Sequence, residues 1–224
     1  MKLNNDLSAH AVASSENAVW VPSPQPGVER RMLERDGDEK VQRATSVVRY
    51  DANATFPRHV HDGGEEFLVL EGTFSDVTGN FGKGFYVRNP VGSSHAPWSK
   101  EGTQIFVKLG QIDPHDKAFV RLDTQGADWR CIEDQGLRTL LLHRFGPEYV
   151  RLVDLKQRVQ FPETEFLAGV EIFVVSGQLE ISGDTRIAGD WMRAPAGSSL
   201  SIGSEAGAMF YIKTGHLLNF VDAA

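Results

Sequence analysis

The chain carries an internal repeat with an offset of 105 residues. Residues 56–110 align with residues 161–215 without a gap, and 16 of the 55 aligned positions are identical. Half of these identities are glycine or proline, for example Gly72 with Gly177. Because such residues mark the turns that set the order of strands, their repetition predicts that one small fold occurs twice in the chain.

Short apolar runs dominate the sequence from residue 45 onward. They are rich in Val, Ile and Phe, and Gly, Asp, Asn and Pro separate them. This pattern is typical of strands joined by turns, and no long stretch has the period of a helix. Together with the 22 glycines of the chain, it predicts an all-β fold, either a sandwich or a barrel.

Charge and cysteine content exclude several classes of protein. The chain has 224 residues, with 23 Lys plus Arg against 30 Asp plus Glu, which gives a formal net charge of −7. An acidic balance without a basic cluster argues against direct nucleic-acid binding. The single cysteine, Cys131, can form neither an internal disulfide nor a zinc site of several thiolates. No apolar stretch approaches the roughly 20 residues that span a bilayer, so we expect a cytoplasmic protein without a membrane partner.

Three histidines and a glutamate in the first copy have the spacing of metal ligands. His59 and His61 are two residues apart, which on a strand places both imidazoles on one face. Glu65 follows after two glycines, with Glu66 as the alternative carboxylate, and His95 comes after a tight turn further along. Imidazole and carboxylate together suit a divalent transition metal. We expect one such ion, with zinc or iron favoured over manganese or nickel.

These residues resemble the two sequence motifs of the cupin family. Residues 59–72 match His-x-His-x3-Glu-x6-Gly, and residues 84–95 match Gly-x5-Pro-x-Gly-x2-His. The family pattern ends with an asparagine four residues after the last histidine, where this chain has Ser99. The resemblance implies a small antiparallel jelly roll, a double-stranded β-helix, that is duplicated as in bicupins. It also implies four metal ligands: His59, His61, Glu65 and His95.

The repeat predicts that the second copy lacks a metal site. Its four equivalent positions hold side chains without imidazole or carboxylate: Thr164, Phe166, Val170 and Leu200. Glu66, in contrast, is retained as Glu171. Persistence of a metal ligand in a copy without the three histidines would be unexpected. We therefore favour Glu65 as the ligand and a structural role, or one at the edge of the pocket, for Glu66.

The organisation of the chain follows from the repeat. We expect an extended N-terminal arm (1–44), a first, metal-binding jelly roll (45–115), a linker with the start of the second (116–150), and a second jelly roll without metal ligands (151–224). Pro22, Pro24 and Pro26 exclude a helix from part of the arm. Paired jelly rolls leave strand edges exposed, so we also expect a homodimer.

Two longer runs, residues 64–76 and 86–95, are similar to the cupin domain of ChrR-type anti-sigma factors. In that family the cupin is a metal-binding sensory module, and a separate N-terminal zinc domain with a Cys-x2-Cys pair binds the sigma factor. This chain contains no such pair, which makes a sigma factor a less expected partner. The resemblance implies a ligand-responsive or stress-responsive regulatory module whose partner is a small molecule.

Two other functions remain open from the sequence, and no catalytic residue is assigned for either. An iron-dependent dioxygenase acting on β-diketones or aromatic ketones would use about two coordination positions left open by three His and one Glu. A structural zinc ion, in contrast, would be closed by the same four ligands. Metal identity and the openness of the site distinguish these functions, and a sequence reveals neither.

Overall fold

The structure is a computed structural model that describes residues 1–38 and 41–217. The end of the predicted second jelly roll, residues 218–224, lies outside the described residues. Within them, the secondary structure consists of 25 strands and one 3-10 helix, Glu133–Gln135, which confirms the predicted all-β class. None of the described helical structure is long and apolar enough to cross a membrane.

The strands are short, with two exceptions of twelve residues. Those in the first part of the chain are β1 (Lys2–Leu3), β2 (Ala11–Ala13), β3 (Val21–Pro22), β4 (Val28–Asp36), β5 (Arg43–Tyr50), β6 (Ala54–Thr55), β7 (His59–Val60), β8 (Glu65–Asp76), β9 (Gly79–Gly82), β10 (Phe85–Asn89), β11 (Ser94–His95), β12 (Trp98–Ser99), β13 (Thr103–Leu109) and β14 (Val120–Asp123). Those in the second part are β15 (Arg130–Ile132), β16 (Leu137–Phe145), β17 (Glu148–Leu155), β18 (Val159–Gln160), β19 (Thr164–Phe166), β20 (Val170–Ile181), β21 (Asp184–Ile187), β22 (Trp191–Ala194), β23 (Ser198–Leu200), β24 (Ile202–Ser204) and β25 (Ala208–Thr214).

The first compact unit is built on a long antiparallel sheet in the order β1-β4-β5-β13-β8-β10-β14. Strand β8 passes from this sheet into a second layer, where it pairs with β9 and β12, and β6 pairs with β12. Strands β7 and β11 form a separate two-stranded pair. The layers enclose an apolar core that includes Phe67, Phe74, Ile105 and Val107. This arrangement is a jelly roll.

The second unit repeats the architecture of the first. Its main sheet has the order β15-β16-β17-β25-β20-β22-β2, and β19 pairs with β23 as β7 pairs with β11. The registers also agree, since Thr164 lies opposite Leu200 where the first unit has His59 opposite His95. Strands β8 and β20 both contain twelve residues and are offset by 105 positions, like the sequence repeat. The predicted duplicated jelly roll is confirmed.

Neither unit is continuous in sequence. The first unit comprises Met1–Asn5 and Ala18–Ala127, and the second comprises Asp6–Asn17 and the chain from Asp128. The residues of the predicted arm, 1–44, are therefore divided, because β4 pairs with β5 in the first unit while β2 pairs with β22 in the second. The predicted linker, 116–150, is divided in the same way, since β14 pairs with β10 and β15 pairs with β16.

In each unit, one edge strand comes from the segment that precedes the other sequence repeat. Strand β14 precedes the second repeat in sequence, yet it forms the edge of the first unit beside β10. Strand β2 precedes the first repeat, yet it forms the edge of the second unit beside β22. An added strand satisfies backbone N–H and C=O groups that an open edge would leave unpaired. Each jelly roll is thus completed by the segment that precedes the other repeat.

Candidate metal centre

The pair β7–β11 brings two of the predicted ligands face to face. His59 lies opposite His95 in the register of this pair. The backbone N–H of His61 donates to the carbonyl oxygen of Ser93 at 2.9 Å, which holds His61 beside the same strand. The turn before β11 is closed by the N–H of Ser93, which donates to the carbonyl oxygen of Pro90 at 3.0 Å. The proline-containing turn of the second motif therefore carries His95 back to the first motif.

A glycine turn brings Glu65 to the three histidines. Gly64 has a φ of +77°, and a Cβ there would lie 2.7 Å from Ile112. A Cβ on Gly63 would lie 2.6 Å from the Cα of Gly110. Both positions therefore require glycine, because a larger side chain would force the neighbouring loop to move. The tight turn allows β8 to begin with Glu65 only four residues after His61.

Four ligand atoms of the predicted residues converge. The atoms of His59, His61, Glu65 and His95 all lie within 4.8 Å of one another. Nε2 of His61 is 3.2 Å from Nε2 of His59, and Oε2 of Glu65 is 3.6 Å from Nε2 of both His61 and His95. Bonds of about 2.1 Å would place two ligands of one ion about 3.0 to 4.2 Å apart. These three separations fall within this interval.

Hydrogen-bond acceptors hold the outward nitrogens of two imidazoles. Nδ1 of His59 lies 3.0 Å from the carbonyl oxygen of Pro57, and Nδ1 of His95 lies 3.0 Å from Oδ2 of Asp76. A backbone carbonyl and an ionised carboxylate can only accept, which assigns the proton of each neutral ring to Nδ1. Each Nε2 then presents its lone pair to the other ligands. Histidines that bind metal have this arrangement.

Asp76 is itself fixed and ionised. Its Oδ1 accepts hydrogen bonds from the backbone N–H and the hydroxyl of Thr78, at 2.7 and 2.6 Å. Burial would raise the pKa of Asp76, but the hydrogen bonds from His95 and Thr78 outweigh burial and lower the pKa to about 2. Asp76 therefore stays negative at neutral pH and orients the ring of His95.

Glu65 and His61 also have orienting partners. Nδ2 of Asn89 donates to Oε2 of Glu65 at 2.9 Å, and a guanidinium nitrogen of Arg121 donates to Oδ1 of Asn89 at 2.6 Å. Oγ of Ser93 lies 3.2 Å from Nδ1 of His61. Burial lowers the pKa of His61 by more than the charge of Glu65 raises it, which favours the neutral imidazole that metals bind.

The chemistry of this donor set fits a transition-metal ion. Imidazole lone pairs and one carboxylate face the same small space, and His61, Glu65 and His95 are buried. Lone pairs and a negative charge at these distances repel one another unless a cation lies between them. Three imidazoles and one carboxylate suit zinc, iron and nickel better than calcium or magnesium, which prefer oxygen ligands.

Glu66, the alternative ligand, points to a different part of the jelly roll. Its Oε2 accepts hydrogen bonds from the hydroxyl of Tyr86 at 2.5 Å and from Arg88 at 2.8 Å. Its equivalent in the second unit, Glu171, likewise accepts from the indole N–H of Trp191 at 2.6 Å. The structure thus places Glu65 among the histidines and Glu66 in a buried network that both copies contain.

The equivalent positions of the second unit form part of its core or its surface. Val170 and Leu200 are buried among apolar side chains, and Phe166 packs against the same cluster. Thr164 is exposed, and its hydroxyl donates to the carbonyl oxygen of Pro162. The backbone geometry of the first unit is thus repeated without donor atoms for a metal.

A cavity of about 380 Å³ reaches the candidate metal centre. Glu65, His59 and His61 line it, and so does a group of apolar side chains: Val28, Val48, Phe56, Ile105, Val107 and Leu109. Tyr50 lines it as well, and burial together with the charge of Glu65 raises the pKa of its hydroxyl far above the usual value. Tyr50 therefore remains a hydrogen-bond donor at physiological pH. The arrangement can admit a mainly apolar small molecule to the ligand residues.

Sequence reasoning did not identify the orienting residues. Asp76 ends β8, Asn89 ends β10, and Arg121 lies on the exchanged strand β14. Asp76 and Asn89 reach candidate ligands, and Arg121 reaches Asn89, because the strands that carry them surround one core. The sole available signal was their type, since each is a polar residue in or next to an apolar run.

The structure resembles solved proteins of low sequence identity. A protein from Pseudomonas aeruginosa described as a candidate glyoxylate-induced protein has a TM-score of 0.75 at 14% identity, over 96% of this chain and 91% of that one. A candidate dioxygenase from Nostoc punctiforme gives 0.74 at 15% identity, over 94% and 84%. The pirin YhhW from Escherichia coli, solved with nickel(II), gives 0.68 at 14% identity, over 92% and 98%. At these identities the likeness concerns the fold.

Sequence comparison assigns the family. Among curated proteins, none matches the chain in sequence. The family model for the ChrR cupin-like domain, however, matches it twice, over residues 8–113 and 117–218. These two matches cover nearly the whole chain, and each contains one copy of the repeat described above. The chain therefore belongs to the ChrR cupin-like family and contains two copies of its domain.

Proposed function

We propose that the first jelly roll is a metal-dependent ligand-binding module with a regulatory role. In this proposal His59, His61, Glu65 and His95 hold one divalent ion, and a small molecule enters the adjoining cavity and binds beside that ion. One observation carries the proposal: four oriented ligand atoms converge where a cavity of about 380 Å³ reaches them. A closed structural site would need no such cavity.

The protein's own residues have distinct tasks in this proposal. The imidazoles and the carboxylate bind the ion, while Asp76 and Asn89 keep His95 and Glu65 in position. The apolar wall of the cavity excludes water, and the hydroxyl of Tyr50 is available to donate a hydrogen bond to a ligand. The ion, when bound, supplies a Lewis acid and a template for oxygen donors.

Metal content of the purified protein tests the site. We expect about one equivalent of a transition metal, with zinc or iron favoured, when elemental mass spectrometry is applied to protein from cells grown without added metal. The variant His61→Ala should lose the metal, whereas Glu66→Gln should retain it because Glu66 faces Tyr86 and Arg88. Equal loss in both variants, or no metal in the wild type under any loading condition, would contradict the proposed site.

An iron-dependent dioxygenase is the second candidate function. It is favoured by the apolar lining of the cavity, including Phe56, Ile105 and Val107, which suits an aromatic or β-diketone substrate. The likeness to the candidate dioxygenase from Nostoc punctiforme supports the same idea at the level of the fold. Oxygen uptake after anaerobic loading with Fe(II), measured with a panel of β-diketones and aryl ketones, separates the two. Substrate-dependent uptake would establish the enzyme, and ligand binding without uptake would favour the regulatory module.

A further inference from the structure

The cavity of the first unit contains an arginine without a counterion among the described residues. Arg30 lies on β4, opposite Val48 of β5, and lines the cavity. Its Nε is buried and makes no hydrogen bond within the part of the chain that the structure describes. Its neighbours along the cavity wall, such as Val28 and Ile105, are apolar. The residue as a whole is half-buried, and its guanidinium lacks an anionic partner among the described residues.

Two other arginines of the same sheet are paired with carboxylates. Arg49, on β5, donates from Nε to Glu29 at 2.6 Å on the opposite face of the sheet. Arg43, at the start of β5, forms a buried ion pair with Glu34. A half-buried charge loses part of its hydration, and a counterion compensates for that loss. Arg30 has no such carboxylate partner among the described residues, and an anion that enters the cavity would supply one.

The polar groups of the cavity divide into two kinds. The metal ligands His59, His61 and Glu65 offer a site for an oxygen donor once an ion is bound, and Arg30 offers a site for a negative group. Asp62, the other carboxylate of the lining, is exposed. Between the polar sites the walls are apolar, so the groups select a ligand with polar ends and an apolar body.

We infer that the cavity binds an oxo acid, whose carboxylate pairs with Arg30 and whose carbonyl faces the metal ligands across an apolar stem. A guanidinium recognises a carboxylate through two parallel hydrogen bonds, which distinguishes an acid from a neutral ketone of the same shape. Tyr50 also lines the cavity, and its hydroxyl can donate a hydrogen bond to the same ligand. This inference rests on the proposed metal-dependent binding function and specifies its ligand class.

Paired probes test the inference on the full, zinc-loaded chain. Calorimetry compares 4-oxopentanoate and 4-oxo-4-phenylbutanoate with their carboxamides, which have the same shape without the charge. We expect each acid to bind about 10- to 100-fold more tightly than its amide, as a hydrogen-bonded charge pair predicts. The variant Arg30→Gln should abolish this preference while changing the affinity for the amides by less than about threefold. Arg49→Gln, which removes a charge from the other face of the sheet, should preserve the preference.

Two further measurements distinguish failure of the proposed function from failure of the oxo-acid inference. Metal content is determined for every variant, because loss of metal from the wild type would contradict the proposed function itself. Equal affinity for acid and amide in a protein that holds its metal would overturn the oxo-acid inference alone. Arg30→Gln should also melt at the same temperature as the wild type or above it, since it breaks no ion pair with a described carboxylate. A lower melting temperature would show that Arg30 supports the fold instead of a ligand.

Discussion

The contact between Asp76 and His95 gives the sharpest prediction about the metal centre. In the variant Asp76→Asn, one carboxylate that accepts from both His95 and Thr78 is replaced by an amide with a single acceptor oxygen. The amide NH2 must then face either Nδ1–H of His95 or the two donors of Thr78, so one orienting hydrogen bond is lost whichever way the side chain turns. His95 is no longer held with its lone pair toward the other ligands.

The expected loss of metal affinity follows from the role of residues that orient metal-binding histidines. Removal of a group that orients a metal-binding histidine raises the metal dissociation constant about 10- to 100-fold. This change corresponds to about 1.4 to 2.7 kcal/mol of binding free energy. Competition with a chromophoric chelator measures the dissociation constant, and circular dichroism of the metal-free protein checks that the variant is folded.

An exposed pair of the same kind provides the control. Nδ1 of His115 lies 3.0 Å from Oδ1 of Asp113, the same separation as in the buried pair, but His115 is largely exposed and is not among the candidate ligands. Asp113→Asn should leave the metal affinity unchanged within about twofold. If Asp76→Asn folds and binds metal as tightly as the wild type, Asp76 does not orient His95 and the reasoning is refuted.

Three further predictions concern the same unit. Glu66→Gln should lower the melting temperature by several degrees while metal content stays near one equivalent, because it breaks the buried pair with Arg88; unchanged stability would contradict this role. Asn89→Ala should weaken metal binding about tenfold, measured by chelator competition, since Glu65 loses a hydrogen bond of 2.9 Å; an unaltered dissociation constant would remove Asn89 from the site. Chelation of the metal should lower the melting temperature of the first unit in calorimetry and leave that of the second unit unchanged. The reason is that a ligand present at 100 times its dissociation constant stabilises the unit that binds it by about 2.7 kcal/mol. A shift of both transitions would show that the units unfold together.

Local sequence patterns predicted the fold and the grouping of the four candidate ligands. The turn residues repeat at an offset of 105, and the structure has strands of equal length and register at that offset. The spacing of the two motifs indicated which side chains lie together, and the structure places His59, His61, Glu65 and His95 in one group. These features depend on turns and on strand alternation, which a few neighbouring residues determine.

Features that depend on pairing between strands far apart in the sequence were not predictable. Strand β2 has three residues and β14 has four, so neither has enough alternation to reveal its partner or its unit. Asp76 lies eleven residues beyond Glu65 on the same strand, and only the curl of β8 between two layers brings it to His95. Arg30 lies in a charged segment whose sequence is typical of a solvent-exposed strand, although Arg30 lines a cavity in the structure.

The exchange of edge strands imposes an order on folding during synthesis. Strand β14 emerges from the ribosome soon after its partner β10, so the first jelly roll can be completed early. Ala11 of β2 pairs with Arg193, and roughly 180 residues must be added between them, which takes roughly 10 to 40 s at usual translation rates. During that time strand β2 has no partner strand. A nascent chain therefore has to keep this segment accessible while the rest is made, and the second jelly roll closes last.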